Sequence, residues 1–128
     1  MSDSIKFGGV TLDCPNAGEL AAFYAEITGG EVAVPGDSWA MTTCPDGSDI
    51  CFQAAAGYSP PSWPDAASSQ QMHLDFDVDD LDSTEARVLA AGATKYDFQP
   101  NDHCRVYADP VGHPFCLSTM ATIQLRES

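Results

Sequence analysis

His73-Leu-Asp-Phe-Asp-Val78 reads as a short strand of alternating character, and Gly9-Val-Thr-Leu-Asp-Cys14, 64 positions earlier, reads the same way. Two turn-forming residues follow each run, Asp79-Asp80 and Pro15-Asn16, and a helical pattern follows each turn. The earlier helix is predicted over 17–28. Asn16 is placed to cap it, Glu19 is its capping-box partner, and Gly29-Gly30 ends it. Leu20, Phe23, Tyr24 and Ile27 fall at the 3.6-residue period and form its buried stripe. The later helix is predicted over 81–91 and stops at Gly92, with Leu81, Val88 and Leu89 as a weaker stripe.

Three strand candidates come after each helix: 31–34, 39–43 and 49–53 in the first half, 96–98, 103–107 and 115–119 in the second. The last pair match closely. Gly47-Ser-Asp-Ile-Cys51-Phe52 and Gly112-His-Pro-Phe-Cys116-Leu117 both run glycine, three residues, cysteine, apolar residue, offset by 65. The chain is therefore two βαβββ repeats, at 5–53 and 72–120, in one α+β domain spanning 1–128. The stretch 54–71, rich in Ala, Ser and Pro, connects them. One helix covers one face of each sheet, so the repeats are expected to form a curved mixed sheet with a concave, uncovered ligand cavity.

Composition narrows the partners. Five basic against 19 acidic side chains give a net charge of −14, which argues against nucleic acid and anionic membrane surfaces. No apolar run reaches the roughly 18 residues of a membrane span, and the first residues lack a signal-peptide pattern, so a cytoplasmic protein is expected. The five cysteines (14, 44, 51, 104 and 116) form no C-x-x-C and read as reduced thiols. Nucleophile-elbow, P-loop and dinucleotide fingerprints are absent.

The arrangement resembles the vicinal-oxygen-chelate (VOC) superfamily, the glyoxalase, bleomycin-resistance and dioxygenase fold, and within it a glyoxalase-like subgroup. The resemblance rests on Leu12-Asp-Cys-Pro15 with Phe23-Tyr24, His73-Leu-Asp75, Val78-Asp-Asp-Leu-Asp82 and Asp109-Pro-Val-Gly-His-Pro-Phe-Cys-Leu117. Metal-using relatives take four cavity ligands, commonly His, Glu, His and Glu. Carried over, these positions fall on Gly9, Cys51, His73 and Cys116, so only His73 keeps the residue type. The resemblance therefore implies a small-molecule-binding protein with no metal or other cofactor, sequestering an antibiotic-like or metabolic ligand, and a homodimer. The alternative is a lyase or isomerase using Cys51, His73 and Cys116 as a Cys2His zinc site, or His73 with Asp75 as an acid–base pair.

Strand alternation assigns the cavity face. With His73 go Asp75 and Asp77, and by the repeat Thr11 and Asp13; Cys51 with Gln53 and Cys116 with Ser118 join them. Asp75 can stabilise a charged imidazole or hold a cationic group. Trp39 and Trp63 offer aromatic walls, Trp63 as a lid or a dimer contact. The candidate ligand-binding residues are Trp39, Cys51, Gln53, Trp63, His73, Asp75 and Cys116. Arg105, with His103 and Tyr107 on one strand face, is expected to pair with a surface acid.

Overall fold

The structure, a computed structural model, describes residues 7–64, 72–100, 102 and 104–119. The order of elements is β1 (Val10–Cys14), α1 (Ala17–Thr28), β2 (Glu31–Val34), β3 (Trp39–Thr43), β4 (Asp49–Ala54), β5 (Leu74–Asp77), α2 (Leu81–Ala91), β6 (Thr94–Lys95), β7 (Cys104–Ala108) and β8 (Pro114–Ser118). Two compact units emerge, Met1–Tyr58 and Ser59–Ser128. Each holds one helix and one four-stranded sheet, in the orders β1-β4-β3-β2 and β5-β8-β7-β6. The first strand of each unit lies parallel to the last and the other pairings are antiparallel, so both sheets are mixed and the class is α+β.

The repeat holds at the level of single hydrogen bonds. Asn16 caps α1 by accepting from the Glu19 N–H at 2.9 Å, and Asp80, 64 residues on, caps α2 by accepting from Ser83 at 2.8 Å. The β3–β4 turn is closed by Cys44 N–H to Ser48 O and Gly47 N–H to Cys44 O. Asp109 to His113 and Gly112 to Asp109 close the β7–β8 turn in the same way. In the second turn the buried Asp109 carboxylate also accepts from the N–H groups of Val111 and His113, so this acid is hydrogen-bonded where it is hidden.

In the first unit Leu20, Phe23, Tyr24 and Ile27 are buried as their spacing predicts, and Tyr24 stacks on Phe52 at 5.6 Å. The second unit is built differently. Val88 is the one buried residue of α2, and Leu89, expected in the stripe, is 40% exposed. Polar contacts dock this helix instead: Glu85 accepts from Tyr107 at 2.8 Å and from Lys95 at 2.9 Å, and Asp82 pairs with Arg105 at 2.9 Å. The contact line runs through Glu85 and Val88, which leaves Leu89 at its edge. Arg105 thus pairs with surface acids as expected, while His103 lies outside the described residues.

One strand is misplaced by the sequence pattern. The pairing near 96–98 is taken by the shorter β6, Thr94–Lys95, which starts two residues earlier. Beyond it Gln99 folds its side-chain amide onto β7, accepting from the Val106 N–H at 2.9 Å and donating to the Val106 carbonyl at 3.0 Å. The amide does what a strand peptide would do, so the backbone there need not be extended.

Candidate functional site

Each sheet has a helix face and an open face, and side-chain contacts fix which is which. In the first unit the Thr42 hydroxyl donates to the Ala21 carbonyl of α1 at 2.7 Å, and Phe52 meets Tyr24. Alternation then turns Trp39, Met41, Cys51, Gln53, Thr11 and Asp13 to the opposite face. In the second unit Tyr107 and Arg105 reach α2, so Cys104, Val106, Cys116, Ser118, Asp75 and Asp77 share the other face. Thr11, Asp13, Cys51, Gln53, Asp75, Asp77, Cys116 and Ser118 fall on the faces that alternation assigns them in the sequence, and Met41, Cys104 and Val106 join them.

On the first open face Gln53 stands opposite Asp13 across the parallel pair, and its amide donates to the Asp13 carboxylate at 2.8 Å. Trp39 stands opposite Gln53 and Met41 opposite Cys51. The result is an apolar and amide-bearing surface with one exposed indole.

The face of the second sheet turned away from α2 carries the ionisable groups, and on it Val106, Cys116 and Ser118 are buried. The Nε2 of His73 lies 3.2 Å from Oδ1 of Asp75, with the side chains 37% and 45% exposed. Asp75 pairs in register with Cys116, and donor atoms of His73, Asp75 and Cys116 all lie within 4.8 Å of one another. Cys116 is buried and hydrogen-bonds with Asp75 and Cys104. Burial first, then the Asp75 charge and these hydrogen bonds, push the thiol up to about 12. It is therefore protonated at neutral pH.

Trp63 is placed elsewhere. Its ring meets Tyr96 edge-on at 4.7 Å and Phe98 at 5.8 Å, inside its own unit, and Phe98 remains more than half exposed. So the candidate residues divide into three groups: Trp39, Cys51 and Gln53 on the first open face; His73, Asp75 and Cys116 together on the second; and Trp63 in an aromatic cluster. Cys104 was missed. The alternation of Cys104-Arg105-Val106-Tyr107 carried the signal, since Tyr107 facing a helix puts Cys104 on the other side.

The metal ligands of VOC relatives can be tested against these residues. Gly9 has φ +136°, and a Cβ there would lie 3.1 Å from the Asp49 carbonyl oxygen, so a ligating side chain has neither a residue type nor ready room. Thiols at 51 and 116 replace two carboxylates. A hard divalent ion held by imidazoles and carboxylates does not fit this set.

Two mixed four-stranded sheets, each built β-α-β-β-β with a helix on one face, define the glyoxalase, bleomycin-resistance and dioxygenase class of folds. The chain matches the glyoxalase-like domain family over residues 9–118 and belongs to that family. No curated protein matches its sequence. Among solved structures it is similar to a glyoxalase/bleomycin resistance protein/dioxygenase family enzyme from Burkholderia phytofirmans PsJN (TM-score 0.65, 19% identity, 85% of this chain and 94% of that one). A glyoxalase-related enzyme from Fulvimarina pelagi is comparable (0.65, 19%, 90% and 88%). So is a variant of the fosfomycin resistance protein FosX from Listeria monocytogenes, complexed with Mn(II) and 1S,2S-dihydroxypropylphosphonic acid (0.67, 18%, 92% and 90%). At these identities the likeness is one of fold. No helix among the described residues is long and apolar enough to cross a membrane.

Proposed function

We propose that this chain is a small-molecule-binding member of the glyoxalase-like family, acting as one VOC domain in a cytoplasmic homodimer that sequesters an antibiotic-like or metabolic ligand without a hard divalent ion. The observation that carries the reading is the His73–Asp75 pair: 3.2 Å apart, each side chain more than a third exposed, on a sheet face that α2 does not cover. Such a pair offers a donor and an anion side by side, which suits a ligand with a polar or cationic head. By itself, the first sheet offers a separate exposed surface of Trp39, Cys51 and Gln53, whose indole suits a flat ligand. The test is a panel of basic and aromatic small molecules screened by thermal shift and calorimetry. His73→Ala should weaken the best ligand roughly tenfold, the scale of one hydrogen bond to a charged group. Unchanged affinity in that variant would overturn the reading.

A second reading, an acid–base lyase or isomerase, draws on the same pair, because an imidazole oriented by a carboxylate is a competent proton carrier. Turnover of a bound ligand, abolished in His73→Ala and kept after chelator treatment, would favour it over sequestration.

A further inference from the structure

Trp63, Tyr96 and Phe98 belong neither to the buried core nor to the His73–Asp75 pair. The Trp63 ring stands against Tyr96 at 4.7 Å and 77°, and against Phe98 at 5.8 Å and 61°. A ring set edge-on against another makes a re-entrant corner with a π face on each wall. Stacked rings, such as Tyr107 and Phe115, cover each other's faces instead. The corner also meets water: Trp63 and Tyr96 are half-buried, and Phe98 is 54% exposed.

Both walls are held in place. Tyr96 donates its N–H to the Val106 carbonyl at 3.2 Å, and the Gln99 amide donates to the Tyr96 carbonyl at 2.8 Å while also bonding Val106. The 96–99 stretch is thereby tied to β7. Trp63 rides on Ser59–Pro64, where prolines 60, 61 and 64 restrict the backbone and Pro60 abuts Gly112 of the β7–β8 turn. A corner fixed before its ligand arrives loses little affinity to ordering. It also stands apart from the His73–Asp75 pair. The strand that begins after His73, β5, and the strand that ends before Tyr96, β6, are opposite edges of the sheet, three strand spacings or about 14 Å apart.

We propose that Trp63, Tyr96 and Phe98, with Asp97, bind the methylated ammonium head of a small organic cation. Charge selects the sign of the ligand. Asp97, an exposed carboxylate, lies between two of the rings in the sequence. Lys95 is drawn to Glu85 at 2.9 Å, and Arg105 to Asp82 and Glu85, while the whole chain carries −14. A cation within about 6 Å of a ring centroid is attracted by the π face, whereas an anion is repelled. Methylation matters as well. A bare ammonium is strongly hydrated and pairs as readily with any surface acid, whereas a methylated one holds its water weakly and fills the corner.

The two tryptophans give two indole N–H resonances, which Trp39→Phe assigns. Isotope-labelled full-length protein is titrated with choline, and with the neutral tert-butyl isostere of choline, at constant ionic strength. Choline should move the Trp63 resonance saturably, with a Kd on the order of millimolar, and the isostere should bind at least roughly fivefold more weakly. Phe98→Ala, at an exposed position, should weaken choline binding roughly fivefold. Asp97→Asn, exposed and nearly isosteric, should weaken it about threefold, which keeps the test sound if the first variant fails to fold. A Trp63 resonance that does not move, equal affinity for the neutral isostere, or unchanged affinity in either variant would overturn the assignment. The readout is the Trp63 ring itself, so a failure here is distinct from a failure at His73 and Asp75.

Discussion

The Tyr107 hydroxyl donates to Glu85 of α2 at 2.8 Å, and 65 and 64 residues earlier the Thr42 hydroxyl donates to the Ala21 carbonyl of α1 at 2.7 Å. The same strand position reaches the same helix position in both repeats. One bond ends on a backbone carbonyl, in an apolar contact. The other ends on a carboxylate that also holds Lys95 and Arg105. This difference separates the two units energetically.

Glu85 makes the second unit sensitive to acid. Hydrogen bonds from Lys95 first and Tyr107 next hold its carboxyl below the usual glutamate range. A carboxyl lowered on folding adds stability above its unfolded value, near pH 4.3, and that contribution is lost as pH falls through the lower folded value. Glu85→Gln should cost about 1 kcal/mol at pH 7, a modest figure because the group is partly solvated. Urea unfolding of parent and variant between pH 7 and pH 3 should show the two curves converging at the acid end.

Thr42 tests the matching contact without charge. Its side chain is wholly buried and its hydroxyl reaches Ala21. Thr42→Val keeps the shape and removes the donor, so a loss of about 1 kcal/mol, independent of pH, is expected in the same unfolding experiment.

The two turn glycines should respond unequally to alanine. Both Gly47 and Gly112 have positive φ, at +92° and +98°, which costs a side chain about 1 kcal/mol or more. Around Gly47 a Cβ meets nothing within 4 Å, whereas at Gly112 it would lie 2.4 Å from the Cβ of Pro60. Gly112→Ala must also displace the segment carrying Pro60, and its melting temperature should fall clearly further than that of Gly47→Ala.

Asp75 should govern the chemistry of Cys116. Its charge and its hydrogen bond both help hold the thiol protonated, after burial itself. Asp75→Asn removes the charge, so the thiol value drops. Alkylation of Cys116, followed by peptide mass spectrometry at pH 8, should accelerate on the order of tenfold for each pKa unit restored. An unchanged rate would mean burial alone protects the thiol.

Much of the fold was legible because repetition is a property of sequence. The 64- and 65-residue offsets paired strand with strand, and Asn16, Gly29 and Gly92 marked helix ends by local chemistry that needs no tertiary context. The site was legible only as faces. Period-two alternation put His73, Asp75 and Cys116 on one side, since successive strand residues must point to opposite faces.

Pattern alone could not show which strand edges would meet. The Gln99 amide replaced a predicted strand because a side chain can satisfy a backbone edge as well as a peptide can. Leu89 stayed outside the contact because α2 turned its charged residues towards β7. Cys104 joined Cys116 only through the β7–β8 register, which sequence spacing does not specify. From the amino-acid order alone came two halves, their elements and their faces, all consequences of local periodicity. Tertiary pairing decided that the second half gathers a histidine, an aspartate and a thiol, because contact between distant residues depends on register and packing.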